Sequence, residues 1–536
     1  MSAEEPTAAG GPPALPSFPP PGPPVPAVNP WLIAIAVMLA TFMEVLDTTI
    51  VTVSLPHMAG NLSATTDEAT WVVTSYLISN AIILPTSGWL ARMFGRKRFL
   101  ITCIVIFTLS SFLCGVATSL GALIVARILQ GVGGGALQPL SQAILLESFP
   151  PARRGMAMAV FGIGVVCAPI FGPTLGGWIT DNFSWRWIFY INIPIGVFAV
   201  LAIQQFVRDP HYIRHARLGR IDALGFGLMA IWLATFQIIL DKGQQEDWFA
   251  AVWIRWFAVI SVSAMVAFLI RELRSGEPIV NLRVLKNRNF GIGTFLMLMM
   301  GVVIYSPLTL IPLFLQNLMG YPALQSGLAQ SPRGLGSLLM MPIVGRLTGR
   351  VDNRLLMMTG FSLLGVSCFL FGDINLQIAM SSVVWPNVLQ GMSMAMIFVP
   401  LTTTAMAMLR NDQMGNATGI FNLVRNLGGG LGISAVTTML ARGAQAHQAV
   451  MVSHLTPYDP AFTRQMQSLT QTLSSQVDAV RAERQASAII YGTLINQATL
   501  LAFVNNFRWL ALLCFICVPA VFLLKRGMAH VPGAAH

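Results

Sequence analysis

The sequence predicts an all-α membrane protein that crosses the bilayer many times. Of its 536 residues, 55% are apolar and only 10% are charged, whereas an ordinary soluble domain carries about 25% charged residues. Several apolar runs exceed the roughly 20 residues that a helix needs to cross the hydrocarbon layer. The runs are long and continuous, unlike the short alternating strands of a membrane barrel.

The net charge of +11 is compatible with nucleic-acid binding, because clustered Lys and Arg neutralise phosphates. The cations instead lie in short segments between the apolar runs, as the positive-inside rule describes. We therefore predict no nucleic-acid partner. The six cysteines lie in apolar runs and are predicted to pack there. The chain carries no nucleotide-binding, hydrolase or zinc motif, so we predict no enzymatic activity, cofactor or metal site.

The apolar runs predict fourteen transmembrane helices, and the loops predict their orientation. Loops rich in Lys and Arg follow the even-numbered spans. Such loops remain in the cytoplasm, so both termini are predicted to be cytoplasmic. The spans lie near residues 31–55, 69–91, 99–118, 121–146, 156–180, 187–207, 222–240, 251–270, 291–315, 326–348, 355–372, 378–408, 417–441 and 504–524.

These spans divide the chain into five predicted segments. Residues 1–30 contain eleven prolines and no Lys or Arg, which predicts a disordered cytoplasmic tail and not a cleaved signal peptide. Residues 31–207 and 291–525 hold six spans each, and residues 208–290 hold two additional spans. Residues 526–536 are predicted to form a second cytoplasmic tail.

The two six-span segments show signs of an internal duplication. GWLARMFGRKR begins at Gly88, and a weaker echo, GRLTGRVDNR, begins at Gly345, 257 residues later. LQG at 129–131 recurs at 389–391, an offset of 260. Parallel repeats of this kind build two-domain secondary transporters, in which the substrate site lies between the halves. The repeats therefore predict a transporter.

Several motifs resemble those of one transporter family, and they occur in the order and at the spacing found in that family. They are LDTTIVTVSLP (46–56), GWLARMFGRKR (88–98), RILQGVGGG (127–135), GPTLGG (172–177) and WRWIFYINIPIG (185–196). On these residues the chain resembles the major facilitator superfamily, in the fourteen-span drug:proton antiporter family of the EmrB/QacA type. The resemblance covers nearly the whole chain except the Pro-rich tail. It departs at Arg92, where many relatives carry Asp, and at Glu44, where Gln is common.

Two carboxylates and one cation inside the predicted spans are candidates for proton coupling. Glu44 and Asp47 are three residues apart and share a helix face, and Arg127 lies in the fourth span, where an acid of the first span is its natural partner. Protonation of that acid is expected to weaken the pair and bias the rocking of the two halves. A charge at this depth costs about 2.5–3.5 kcal/mol or more unless it is paired or hydrated. Two acids close together in a low dielectric favour reversible protonation. The alternative is that Asp47 only hydrogen-bonds a neighbouring helix. Arg425 has no evident acid partner and is interpreted as structural, bonded to carbonyl oxygens, with contact to substrate as the alternative.

The resemblance also implies gating residues and an antiporter motif. They are Gly88, Gly95, Arg96 and Arg98 after the second span, and Gly172, Pro173, Gly176 and Gly177 in the fifth. Glycine permits close helix contact, so ordinary packing is the alternative interpretation. Polar and aromatic residues at the depth of the cavity are predicted substrate contacts, although each alone is more often an interhelical hydrogen bond. These are Tyr76, Asn80, Gln138, Gln142, Tyr305, Gln316, Gln390 and Asn422.

Residues 442–497 form the only long loop on the predicted periplasmic side. After Pro460 the sequence allows a helix. Apolar residues there recur every three or four positions, which suits a partner helix. We predict that this loop binds a periplasmic adaptor protein; packing against the protein's own helices is the alternative. The stripe consists of Met466, Leu469, Leu473, Val477 and Val480.

Together these features predict a proton-coupled antiporter that exports lipophilic or amphipathic compounds across the inner membrane. The resemblance implies a three-part system with a periplasmic adaptor and an outer-membrane channel. One alternative is a dedicated exporter of one natural product, siderophore or fatty acid. Another is a membrane scaffold or sensor without transport. Buried ionisable groups in repeated halves favour transport over the scaffold.

Overall fold

The computed structural model describes residues 29–209, 222–276 and 278–525. The two predicted terminal tails lie outside the described residues, except for Asn29 and Pro30. Helices make up the described part, and they are joined mostly by short turns, without a β-strand among the described residues. The all-α class predicted from the sequence is therefore confirmed.

The first six predicted spans are helical and form the first half of the fold. Two of them are divided, since the fourth breaks after Gly134 and the sixth begins with a separate short helix. Their apolar circumference suits helices that pack in a bundle surrounded by lipid. The helices are α1 (Pro30–Asn61), α2 (Thr66–Phe94), α3 (Arg96–Val116), α4 (Leu120–Gly134), α5 (Leu137–Ser148), α6 (Arg154–Asn182), α7 (Trp187–Tyr190) and α8 (Asn192–Phe206).

Glycines let the fourth span pack very closely against its neighbours. A Cβ atom on Gly133 would lie 2.6 Å from the backbone nitrogen of Phe107 on α3. A Cβ atom on Gly135 would lie 2.5 Å from the carbonyl oxygen of Asn80 on α2. No side chain fits at such distances, so only glycine allows this approach. The GVGGG segment thereby holds the start of α5 beside the polar face of α2.

The two inserted spans are helical and lie outside the halves, with most of their surface facing outward. They are α9 (Ala223–Lys242) and α10 (Val252–Arg274). Asp241, near the end of α9, accepts a hydrogen bond of 2.6 Å from Thr74 on α2. Trp248, in the turn after α9, donates one of 3.0 Å to Thr438 in the second half. The inserted pair therefore contacts both halves at one end.

The last six predicted spans are also helical and form the second half. The ninth ends in a π-helical turn at Phe314–Leu318, and Ser331 divides the tenth. The helices are α11 (Arg288–Leu313), α12 (Ala323–Gln330), α13 (Pro332–Leu347), α14 (Asn353–Phe371), α15 (Ser381–Met406), α16 (Met414–Val452), α17 (Pro460–Leu473) and α18 (Ala479–Val521).

Within the described residues, twelve helical segments are long and apolar enough to cross a membrane. The two other predicted spans are helical as well. The tenth is divided into α12 and α13, which have 8 and 16 residues. The thirteenth, α16, has 39 residues but is rich in glycine, which lowers its hydropathy. The helices therefore agree with the fourteen predicted spans.

The internal duplication is visible where the two halves meet. A Cβ atom on Gly88 of α2 would lie 2.6 Å from the carbonyl oxygen of Gly415 on α16. A Cβ atom on Gly155 of α6 would lie 2.9 Å from the carbonyl oxygen of Gly345 on α13. Gly88 and Gly345 are 257 residues apart, and Gly155 and Gly415 are 260 apart, which are the offsets of the sequence repeat. Two equivalent contacts thus close the ends of the halves that carry the Lys- and Arg-rich loops, called the basic end below.

The loop predicted at 442–497 is largely helical. Helix α16 continues to Val452, and α18 already begins at Ala479. At about 1.5 Å per residue, the 39 residues of α16 form a helix that is longer than the roughly 30 Å thickness of the hydrocarbon layer in a bilayer. Helix α17 lies between these extensions and packs against α18. The last two long helices therefore protrude at the end opposite the basic end.

The apolar stripe predicted in this region is discontinuous. The helix stops at Leu473 and resumes at Ala479, so Val477 lies in the intervening turn. Met466 is half-buried on α17, which packs against α18, whereas Val480 is 63% exposed. Part of the stripe is therefore used inside the protein, as the alternative interpretation expected.

Candidate functional site

A cluster of polar side chains surrounds Glu44, midway along α1. The residue is only 4% exposed, and its carboxylate accepts a hydrogen bond of 2.6 Å from Nε2 of Gln138. Asn80 and Tyr76 donate from α2 at 3.2 and 3.3 Å. All three donors are neutral, and Glu44 forms no ion pair with a described residue. A carboxylate held in this way can take up a proton without breaking an ion pair.

Asp47, one turn further along α1, is held by a different set of residues. Its carboxylate lies 2.6 Å from a guanidinium nitrogen of Arg127, and both side chains are inaccessible to solvent. Gln130 and Asn192 donate to its other oxygen at 2.9 and 2.8 Å. The Arg127 guanidinium also lies 4.2 Å from the centre of the Tyr76 ring. Such a buried pair is stable only as a unit, because removing one partner leaves an uncompensated charge.

The two carboxylates therefore belong to separate sites, although they lie on one helix face. The sequence suggests that their proximity favours protonation, but Asp47 is neutralised by Arg127 while Glu44 meets only neutral donors. Tyr76 joins the two sites, with its hydroxyl on Glu44 and its ring beside Arg127. Glu44 is thus the carboxylate that a proton reaches without disrupting an ion pair.

Polar contacts continue from Glu44 into the second half. Oε1 of Gln138 on α5 accepts a hydrogen bond of 2.5 Å from Arg425 on α16. One turn away, Oε1 of Gln142 accepts one of 2.6 Å from Asn422. The sequence gives Arg425 no acid partner, but the structure places it one side chain away from Glu44 and within electrostatic range. Arg425 thus hydrogen-bonds an amide oxygen of the first half, and its predicted role, structural or in contact with substrate, stays a prediction.

The Major Facilitator Superfamily model matches residues 37–433 of this two-halved chain. The chain belongs to the major facilitator superfamily. It is 36% identical to the multidrug export protein EmrB of Haemophilus influenzae, over 90% of this chain and 93% of that protein. It is 35% identical to the fatty acid resistance protein FarB of Neisseria gonorrhoeae, over 94% of this chain and 97% of that protein. These identities place it among the EmrB-like members.

A solved structure of the superfamily shows the same fold. The human organic anion transporter MFSD10 (TETRAN) matches with a TM-score of 0.58 at 14% identity, and the match covers 91% of this chain and 99% of that one. At this identity the likeness concerns the fold alone. The predicted fold, two six-helix halves of a multi-pass membrane protein, is confirmed.

The GWLARMFGRKR segment between α2 and α3 forms a charged contact at the basic end. Arg96 donates to both carboxylate oxygens of Glu147 on α5, at 2.6 and 3.0 Å. Gly95 has a φ of +85°, which glycine adopts without strain. Arg92 and Arg98 are exposed. The segment therefore has its carboxylate contact through Arg96 and Glu147, and not through Arg92.

The GPTLGG segment of the fifth span (172–177) packs α6 against α1, just beyond Asp47. A Cβ atom on Gly172 would overlap the Thr49 side chain, and one on Gly176 would lie 2.9 Å from a backbone oxygen of α1. Gly177 has only an ordinary contact at 3.9 Å. Pro173 lies inside α6 and removes a backbone donor there. Two of the three glycines are therefore required by close packing.

Three of the predicted cavity residues lie outside the Glu44 cluster and its contacts with the second half. Tyr305 of α11 packs against α16, and Gln316 is exposed in the π-helical turn. Gln390 is 1% exposed, and its amide has no hydrogen-bond partner among the described residues. Gln390 is the repeat counterpart of Gln130, but neither repeat offset brings an acid to the position equivalent to Asp47. The second half therefore lacks an acid equivalent to Asp47 at either offset.

Three residues that complete these sites were not predicted from the sequence. Gln130 follows Arg127 by three positions, so its place on the same helix face was a usable signal. Asn192 lies in the WRWIFYINIPIG segment (185–196). The resemblance of that segment to the family did not indicate that Asn192 hydrogen-bonds Asp47. Glu147 lies at the end of the fourth span, and its pairing with Arg96 depends on tertiary packing.

Proposed function

We propose that this protein is a proton-coupled antiporter that exports lipophilic or amphipathic drugs and toxic compounds across the inner membrane. The observation that carries the proposal is Glu44, a buried carboxylate midway along the first apolar helix, held by neutral donors beside the interface of the halves. An ionisable group at this depth is costly and typical of a proton or substrate pathway. The names of the EmrB relatives, multidrug export proteins, support drug-like substrates.

Exchange follows from competition at the Glu44 cluster. A cationic or amphipathic substrate beside Glu44 favours the ionised carboxylate, whereas a proton removes its charge. Each ligand therefore weakens the binding of the other by the same factor. The pair of Asp47 and Arg127 fixes α1 against α4 and so positions the cluster. The basic end faces the cytoplasm in this proposal, together with both termini.

A dedicated exporter of one carboxylate-bearing amphiphile, such as a fatty acid, is the second candidate. Arg425 favours it, because this buried guanidinium contacts amide oxygens and forms no ion pair with a described residue. A carboxylate is a stronger acceptor for a guanidinium than an amide oxygen is. The name of the FarB relative, a fatty acid resistance protein, supports the same class of compound.

The protruding part of α16, α17 and α18 is proposed to bind a periplasmic adaptor protein, which connects the pump to an outer-membrane channel. Helix α17 has no buried residue, so most of its surface remains available to a partner. Its polar outer face and its position beyond the bilayer suit a contact in water. The half-buried inner face holds it against α18.

Transport into everted membrane vesicles tests the proposal. Vesicles with wild-type protein should accumulate a fluorescent lipophilic cation when their interior is acidic, and a protonophore should abolish the accumulation. Glu44→Gln should reduce it to the level of vesicles without the protein. Glu272→Gln removes another buried carboxylate, near the end of α10, and should leave transport intact. Wild-type accumulation that survives the protonophore would rule out proton coupling. If wild-type vesicles accumulate neither the cation nor a long-chain fatty acid, a scaffold or sensor is favoured.

Competition separates the two transporter candidates in the same vesicles. Excess of a long-chain fatty acid should leave cation accumulation largely unchanged if the protein exports many lipophilic compounds. A dedicated carboxylate exporter should instead accumulate the fatty acid and reject the cation.

A further inference from the structure

We propose that Gln138 is a positioning residue that links the charge of Glu44 to the closure of the two halves. The inference rests on proton exchange at Glu44, as proposed above. The Gln138 amide donates to Glu44 in the first half at 2.6 Å and accepts from Arg425 in the second half at 2.5 Å. A carboxylate only accepts and a guanidinium only donates. The amide therefore has a single orientation that satisfies both neighbours when Glu44 is ionised.

A second amide bridge lies one helical turn away and lacks the carboxylate. Gln142 accepts from Asn422 at 2.6 Å. Gln138 and Gln142 are four residues apart on α5, and Asn422 and Arg425 are three apart on α16, so each pair shares a helix face. The two bridges join the same helices at nearly the same depth. Only the Gln138 bridge ends on an ionisable group.

Protonation of Glu44 acts directly on the Gln138 bridge. While Glu44 is ionised, both hydrogen bonds of Gln138 involve a charged partner, and such bonds are about twice as strong as neutral ones. Arg425 also lies within electrostatic range of Glu44. A proton on Glu44 removes that attraction and weakens the bond to Gln138. The contact between α5 and α16 is therefore stronger with ionised Glu44.

The other charged and titratable groups near Glu44 do not offer the same connection. On α2, Tyr76 donates to Glu44 within the first half. On α1 itself, Asp47 is engaged by Arg127 of α4. Arg425 of α16 is the cation that faces Glu44 from the second half. Gln138 is thus the side chain that carries the change of charge across the interface.

The consequence has the direction that an exporter requires. Helix α5 ends at the basic end, where the halves are closed in this structure, so an intact bridge supports that closed state. A proton that reaches Glu44 from the opposite end weakens the bridge and favours opening of the basic end. The proton then leaves on that side and substrate replaces it.

Distance measurements between spin labels test the inference on the full-length protein. Labels on cysteines introduced at Arg92 and Arg410, both exposed at the basic end, report the separation of the halves. In wild type, the ratio of open to closed molecules should rise about tenfold or more from alkaline to acidic pH, as expected for losing a hydrogen bond to a charged group. Glu44→Gln should abolish this dependence.

Variants of the two bridges then show whether Gln138 transmits the charge of Glu44 or only holds α5 and α16 together. Gln138→Met keeps the side-chain length without hydrogen bonds and should reduce the pH dependence to less than about twofold. Arg425→Met removes the other end of the bridge and should have the same effect. Gln142→Met should open the halves slightly but keep the wild-type pH dependence. Retention of that dependence in both Gln138→Met and Arg425→Met overturns the inference.

The outcome also distinguishes this inference from the proposed function. If wild type opens with acid, Glu44→Gln does not, and Gln138→Met still does, proton exchange at Glu44 stands and the role of Gln138 fails. If the label distances in wild type are independent of pH, the link between Glu44 and closure fails. If wild-type vesicles also show no proton-driven accumulation, the proposed function fails as well.

Discussion

The buried pair of Asp47 and Arg127 gives a prediction with a calculable size. We consider Asp47→Asn, Arg127→Gln and the double variant. In Asp47→Asn, one amide oxygen still accepts hydrogen bonds from Gln130 and Asn192, so the main loss is the charge that compensates Arg127. Both side chains of the pair are fully buried. The arginine therefore remains in the protein interior without its counter-ion.

Breaking a buried ion pair by removing one partner costs about 3–5 kcal/mol. Arg127 keeps hydrogen bonds to the Val72 carbonyl oxygen at 3.1 Å and to Gln130 at 2.7 Å. Arg127 also keeps its cation–π contact with the face of the Tyr76 ring. We therefore expect the lower end of that range, about 3 kcal/mol for Asp47→Asn. This free energy corresponds to roughly a 100-fold change in the unfolding equilibrium.

A double-mutant cycle on purified protein measures this coupling. Unfolding by denaturant in mixed micelles should give a coupling energy of about 2–3 kcal/mol, because the double variant places two neutral amides together. The exposed pair of Arg410 and Asp412 is the matched control and should couple by less than about 1 kcal/mol. Single-variant effects that simply add in the buried pair would refute the reasoning. Asp47→Asn is also expected to abolish proton-coupled efflux, which the vesicle assay measures.

Three further predictions concern the basic end and the protrusion. Gly88→Val should prevent closure of the basic end and stop transport, because a Cβ atom at this position has no space. The control Gly227→Val, which has open space around it, should transport normally, and wild-type transport by Gly88→Val would contradict the packing. Arg96→Lys should lose most of the transport rate, because lysine cannot donate two parallel hydrogen bonds to Glu147. A wild-type transport rate in Arg96→Lys would show that the positive charge alone suffices. Replacing residues 460–485 with a short flexible linker should preserve export in vesicles but remove the drug resistance that depends on the outer-membrane channel. Unchanged drug resistance would show that this segment does not bind the adaptor protein.

The fold was largely predictable because its signals are local and repeated. Long apolar runs and the alternation of basic loops predict the fourteen spans, and two echoes at nearly one offset predict the halves. The contacts of Gly88 with Gly415 and of Gly155 with Gly345 explain why those glycines occur in both halves. The helical extension beyond Val452 was less predictable, since polar helices outside the bilayer leave no hydropathy signal.

The site was only partly predictable, because buried charge predicts that Arg127 pairs with an acid of the first span but not which acid it is. Glu44 and Asp47 stand out in an apolar span, yet nothing local separates the neutral cluster of the first from the ion pair of the second. The separation depends on which residue of α4, α5 or α8 faces each carboxylate. Arg425 shows the same limit, because Gln138, the side chain that joins it to Glu44, lies 287 residues away in sequence.

Proton release on substrate binding tests the central claim most directly. Purified protein in a lightly buffered solution near neutral pH is mixed with a lipophilic cation, and the released protons are measured with a pH indicator. If Glu44 exchanges a proton for substrate, wild-type protein releases protons and Glu44→Gln releases none while still binding the cation. Equal proton release by wild type and Glu44→Gln would contradict the account.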